Sequence, residues 1–434
     1  MFRSEMKPWL ALFLLFAVSH TQTVDRLKII YSWKELEFAY PTEQARLDAI
    51  RNGKFIPGGP LPIDVDVHLP TVPKSRVFIT IPRFQLGVPV TLGTVTDQVS
   101  SQGNPKIAPF PNWHWNNMAN CNTLTSVYRV QVDDYDRLWV LDTGKLVEEQ
   151  ICPPQLHLFD LKTDQLISQY KFPKKLYKHD SLFVTAAVDV RDNGTGQDTF
   201  VYIADVTGFS LIVYDHRNKR SWKIVNNLFY PYPPHGTFTI KGDSFDLMDG
   251  ILGLALGPLL SNGEKILYFH SLASRMEAWV PTSVIRNFTL FQEHPDSSAR
   301  SFVSFPNERS SQSAAEAMDK NGVLYFGLLS ELAIGCWNSK HYPQYGGANI
   351  EVIVKNPDTL QFPSGLKVIT QQSGQQELWI LTPSFQKYMT GSLRSNETNF
   401  RIQAGFTSEL VRGTKCDVNS LNARSIPSEN YRRN

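Results

Sequence analysis

The stretch Asp133-Asp134-Tyr135-Asp136-Arg137-Leu138-Trp139-Val140-Leu141-Asp142 carries an apolar run, Val127 to Val132, through a polar turn into a second apolar run headed by an aromatic residue. The pattern returns as Ala314 to Met318, Asp319-Lys320-Asn321-Gly322, then Val323 to Phe326. It returns again as Leu366 to Ile369 before Leu378 to Leu381, as Leu182 to Val190 before Thr199 to Ile203, and as Ile251 to Leu256 before Ile266 to Phe269. Val65 to Leu69 before Val77 to Ile79 is a weaker copy. The aromatic markers Phe78, Trp139, Tyr202, Tyr268, Tyr325 and Trp379 are spaced by 61, 63, 66, 57 and 54 residues. One hairpin cannot bury both of its faces, so a near-constant period implies units that pack on their neighbours. Six units predict an all-β, single-domain, six-bladed β-propeller over residues 65–416, with long loops in each blade. A β-sandwich with a chance run of hairpins is the competing reading, and the period favours the propeller.

The rest of the chain fits one secreted domain. Hydrophobic residues make up 42% and charged residues 19% of the 434, the balance of a globular protein. A net charge of +2 with no basic stripe gives no reason to expect a nucleic-acid partner. Arg3 and Lys7 precede the apolar run Trp9 to Val18, and Ala17 and Ser19 have the spacing of a signal-peptide cleavage site, so residues 1–19 read as a signal peptide. The run is too short to span a bilayer and no later stretch is long enough, so no membrane partner is expected. Residues 20–64 hold a strand-like run, Leu27 to Tyr40, and a short polar helix, Thr42 to Gly53. A ring of blades needs a latch, and the first run is placed to add an outer strand to the last blade near Phe400 to Phe406. Residues 417–434 are polar and aperiodic, as in a loosely ordered tail.

An extracellular setting makes disulfides the expected use of Cys121, Cys152, Cys336 and Cys416, none of which has zinc-site spacing. Of three pairings, Cys121 with Cys152 is preferred, since these flank one hairpin and its two ends meet at one edge of the sheet; Cys336 with Cys416 is left. Asn193, Asn287 and Asn396 head glycosylation sequons in or beside turns.

Chemistry is less legible. No dinucleotide fingerprint, phosphate loop, zinc-protease helix or nucleophile elbow is present, and no cofactor is expected. Asp133, Asp134 and Asp136 resemble a metal run but sit in a turn, where aspartate is favoured, and no calcium-loop glutamate follows; no metal is expected. Asp64 and Asp66 alternate on a strand, and His114 lies between Trp113 and Trp115. Ligands of propellers bind at a mouth of the central channel, here where the innermost strands begin: Asn122 to Ser126, Phe183 to Ala186, Met248 to Ile251, Gln312 to Ala314 and Pro363 to Gly365. Such a lining suits a small aromatic molecule with a cationic end, with Asp249 as the acidic member and Phe183 and Gln312 as contacts.

Longer motifs make the chain resemble the Yellow / major royal jelly protein family of insects. They include Phe78-Ile79-Thr80-Ile81-Pro82-Arg83, Leu138 to Gly144, Cys152-Pro153-Pro154-Gln155-Leu156, Leu267 to Ser274, Ala333 to Asn338, Leu360 to Val368 and Gly413-Thr414-Lys415-Cys416. The resemblance implies a secreted propeller with two disulfides and a link to cuticle and melanin pigmentation. Family members include dopachrome-converting enzymes, salivary proteins that bind biogenic amines, and nutritive royal jelly proteins. One segment departs: the family commonly reads Leu-Ser-Asn-Arg after the last inner hairpin, whereas this chain reads Leu381-Thr382-Pro383-Ser384-Phe385. Without that asparagine, Ser364, Thr382 and Phe385 are the contacts left. The expectation is a pigmentation protein binding a dopa- or dopamine-derived catechol or indole. The alternatives are a dopachrome-converting tautomerase, with Asp249 as base and Ser364 as a donor, or, further off, a metal-dependent lactonase-like hydrolase.

Overall fold

The computed structural model describes residues 26–70, 75–118, 120–192 and 194–419. The expected signal peptide, the sequon asparagine Asn193 and the tail beyond residue 419 lie outside them.

The repeated turn explains the repeated aromatic. In the quoted stretch, Asp133 Oδ1 accepts hydrogen bonds from the amides of Tyr135 and Arg137 at 2.9 and 3.2 Å, and its Oδ2 accepts from Trp139 Nε1 at 2.7 Å. Asp136 completes the turn in the left-handed region at φ 54°. Asp319 does the same in a later copy, taking the amides of Asn321 and Val323 and the Tyr325 hydroxyl. Tyr202 donates to Asp189, and Trp379 to Glu377. A buried polar ring atom needs a partner, and an acidic side chain at the hairpin supplies one.

Six sheets follow from these hairpins. Their innermost strands are Asp64–His68, Val127–Val132, Phe183–Val190, Ile251–Leu256, Glu316–Met318 and Gly365–Thr370, here blades 1 to 6. Blades 2 to 6 have four strands each; blade 1 has five, its outermost, Glu37–Phe38, running parallel to Pro105–Pro109. Each innermost strand also packs on the innermost strand of the next blade, from blade 1 round to blade 6 and back. Gly365 belongs to this closure, because a Cβ there would come within 2.7 Å of the Asp64 carboxylate.

The fourth strand of blade 6 comes from the other end of the chain. Lys28–Trp33 pairs antiparallel with Phe400–Phe406, from Lys28 opposite Ala404 to Trp33 opposite Phe400. Trp33 is fully buried and its indole N–H reaches the Pro105 carbonyl of blade 1 at 2.8 Å, so the latch also ties the closing blade to the first. The polar helix Glu43–Arg51 follows, capped by the Thr42 hydroxyl on the Ala45 amide. Both disulfides form as read from the sequence, Cys121 with Cys152 and Cys336 with Cys416. Asn287 and Asn396 are exposed.

Candidate functional site

The mouth where the innermost strands begin is aromatic. Between blades 3 and 4 the chain leaves the repeat to form a small hairpin, Thr237–Ile240 with Asp243–Asp246, in which Phe238 and Phe245 stack at 5.3 Å. Phe245 lies 5.9 Å from Phe385 and 6.5 Å from Phe362, both belonging to blade 6, so the hairpin reaches across the mouth. Phe362 and Phe385 lie 4.5 Å apart at a tilt of 32°; Phe84 meets Tyr128 edge-on at 5.3 Å and lies tilted to Tyr388 at 5.9 Å. These rings come from blades 1, 2 and 6 and from the hairpin, and only the ring brings them together.

Asp249 lies at the root of this hairpin, just before the innermost strand of blade 4. Its backbone carbonyl accepts from Ala273 at 3.1 Å, while no hydrogen bond reaches its carboxylate from the described residues. The side chain is partly accessible, yet protein surrounds it, and burial pushes its carboxyl up to about 6. Burial also raises the Tyr128 phenol, helped by the nearby charges of Asp249 and Glu148. Tyr388 is raised by burial as well. The mouth therefore offers ring faces, the Asp249 carboxyl, unpartnered among the described residues, and phenols that keep their protons.

The other residues expected here serve the fold. Gln312 donates to the carbonyls of His235 and Thr237, both at 3.0 Å, anchoring the hairpin. Ser364 donates to the Ile63 carbonyl at 2.6 Å and Thr382 to the Thr359 carbonyl at 2.9 Å. Phe183 is buried between blades, against Phe172 at 5.4 Å. His114 is exposed. Of the residues expected to contact a ligand, the structure brings Asp249 and Phe385 to the aromatic mouth. Pro383 ends a strand opposite Phe400, and the helix Phe385–Met389 that follows brings Phe385 and Tyr388 towards Phe84. Sequence reasoning missed Tyr128, Tyr388, Phe84, Phe245 and Phe362. Tyr128 had a signal, since it stands second in an innermost strand, next to the lining stretch ending at Ser126.

One buried set has the composition of a metal centre. Ligand atoms of His270, Glu277 and Glu316 all lie within 4.8 Å of one another. Its charges are already matched: Arg309 donates to Glu277 at 2.7 Å, and His270 Nδ1 lies 3.1 Å from both Glu277 and Glu316. His270 Nε2 faces the Ser313 carbonyl at 3.0 Å. Nε2 donates to that carbonyl and Nδ1 is taken up by the two carboxyl groups, which favour a positive ring, so neither nitrogen is free for a metal without breaking these bonds. Burial and Arg309 oppose that charge, but Glu316 and Glu277 outweigh them and raise the imidazole.

The fold and mouth define a class: a disulfide-bonded six-bladed propeller whose channel opens beside a cluster of aromatics with the acidic Asp249 among them. The family model for major royal jelly proteins matches residues 125–416. The chain is 34% identical to dopaminechrome tautomerase of Drosophila melanogaster over 91% of its length and 85% of that protein. It is 35% identical to major royal jelly protein 9 of Apis mellifera, covering 92% of each chain, and 32% identical to protein yellow of Drosophila yakuba, covering 98% of this chain and 77% of that one. The protein belongs to the Yellow / major royal jelly protein family.

Proposed function

We propose that this is a secreted Yellow-type protein of melanin or cuticle pigmentation that binds a small aromatic amine, a catechol or indole derived from dopa or dopamine, at the aromatic mouth. The observation that carries the reading is the Asp249 carboxylate, unpartnered among the described residues and set beside a cluster of rings. An ammonium fits the carboxylate and a catechol or indole fits the ring faces. Two disulfides, and the lack of any described helix long and apolar enough to cross a membrane, support an extracellular setting.

A second reading has its own support. Tautomerisation of a dopachrome-type quinone moves a proton from carbon to oxygen and needs a base and a donor on either side of the ring. Asp249, its carboxyl near 6, is suited to the first role, and the still-protonated Tyr128 to the second. The similarity to a dopaminechrome tautomerase favours testing it.

Calorimetric titration of the secreted protein with dopamine, serotonin and dopa, with a dopaminechrome decay assay on the same sample, separates the two. Binding without faster decay, weakened in Asp249→Asn, supports a carrier. Faster decay that is lost in Asp249→Asn and in Tyr128→Phe supports the tautomerase. If the folded protein neither binds nor accelerates decay, both readings fall.

A further inference from the structure

Blades 2 and 3 meet along their outermost strands, Gln165–Lys171 and Arg220–Val225. The two run side by side. Lys219 Nζ reaches Ser168 Oγ at 3.5 Å, and two residues further along each strand the Tyr170 hydroxyl meets Ser221 Oγ at 2.7 Å. The same step again sets Lys223 beside the end of the first strand, where the loop towards Lys178 begins. Trp222 and Ile224 alternate with these residues and point the other way, into the core shared with blade 4.

This seam gathers cations without matching acids. Lys174, Lys175, Lys178 and Lys219 are exposed, Lys223 is half-buried, and none of the five forms an ion pair among the described residues. Lys174 Nζ lies 4.4 Å over the Tyr177 ring, and Lys219 Nζ lies 3.1 Å from His216 Nδ1. The nearby arginines are already taken, Arg220 by Asp215 at 3.0 Å and Arg217 by Asp192 and Asp198 at 4.0 Å. Of the two acids that face Lys223, Asp205 is buried and accepts from Ser181, Leu182 and Gly208, which leaves Asp180. Burial lowers the Lys223 ammonium, and the charge of Lys178 adds to this against those acids. Burial lowers Lys219 too, helped by Arg137. Like charges held together repel, a cost that an anionic partner removes. The sequence shows no basic stripe because a loop and a separate strand supply these residues.

We propose that the seam between blades 2 and 3 is a docking surface for a linear sulfated polysaccharide. Lys219 and Lys223 stand four residues apart on one strand, about 13 Å, and Lys178 and Lys174 extend the row around the loop. A row that follows a strand suits a linear chain better than a flat bilayer. Lysines act as point charges for anions spaced along such a chain, whereas the arginines suited to bidentate phosphate recognition are occupied. The inference goes beyond the amine site at the mouth and stands without it.

Heparin is the probe. It is titrated calorimetrically at low salt into wild type and into the double variant Lys178→Gln with Lys223→Gln. A second double variant, Lys28→Gln with Lys54→Gln, removes the same charge from exposed lysines outside the seam. Thermal melts confirm that each protein is folded. The expected result is heparin binding by wild type that weakens as salt rises, weakens roughly 5- to 10-fold in the seam variant, and changes by less than about twofold in the control. Duplex DNA and phosphatidylserine vesicles should bind more weakly than heparin. The proposal is overturned if folded wild type does not bind heparin at low salt, or if the control variant loses as much affinity as the seam variant. It is also overturned if DNA or the vesicles bind more tightly than heparin.

Discussion

Asp133 and Trp139 show how much one residue can fix. An acidic side chain that takes the ring N–H or O–H of the returning strand recurs with Asp189 and Tyr202, Asp319 and Tyr325, and Glu377 and Trp379, and Asp319 caps its turn as Asp133 does. Asp133→Ala would leave several donors unmet, Trp139 Nε1 among them, and is expected to destabilise the fold by about 2–4 kcal/mol in urea unfolding. Tyr325→Phe, which removes one bond from the buried Asp319, is expected to cost about 1–2 kcal/mol. Asp249 should behave in the opposite way. Its carboxyl is raised above the ordinary 3.8, so the folded state prefers it neutral, and ionisation above about pH 6 works against the fold. Asp249→Asn should therefore raise Tm at pH 7 while weakening amine affinity, and the gain should vanish below pH 3.8. His270 is also raised, from 6.5, but as a cation: its contribution is full below that value and lost as pH rises through the raised one. A series of melts above pH 6.5 should show wild type losing stability faster than His270→Gln.

Elements explain which readings the sequence allowed. The blade hairpins were legible because their apolar periodicity is local and repeats six times. The latch follows from the same logic, since an open last blade has an unpaired edge, and Lys28–Trp33 covers it. Trp33→Ala should cost about 3–5 kcal/mol, because it empties a fully buried site at the seam between the last blade and the first. Reducing the Cys336–Cys416 bond, which closes 80 residues, should lower stability by about 4 kcal/mol, somewhat more than reducing the Cys121–Cys152 bond, which closes 31. The site was harder to read. The hairpin carrying Phe238 and Phe245 interrupts the repeat, so periodicity passes over it. Ser364, Thr382 and Gln312 look like ligand contacts by residue type, but their donors are taken by carbonyls that only the folded chain brings near. Asp249 is placed at the mouth by its position just before an innermost strand, which the hairpin periodicity already marks.

At the scale of the whole molecule, the ring gathers side chains from distant parts of the sequence onto one axis. Phe84 and Tyr388 are 304 positions apart and still meet at 5.9 Å. Arg129 of blade 2 reaches the Ala314 carbonyl of blade 5 at 3.1 Å and lines a separate cavity of about 460 Å³. The central claim is that Asp249 holds the cationic end of an aromatic amine at the mouth. The pH dependence of dopamine affinity tests it most directly, because the ammonium stays charged across the range in which Asp249 titrates. The account predicts affinity that is constant above about pH 6 and falls as Asp249 protonates below it, with Asp249→Asn weaker by roughly 10- to 100-fold at pH 7 and flat with pH. Dopamine binding that is equally tight in Asp249→Asn, or unchanged as the pH falls through 6, would contradict it.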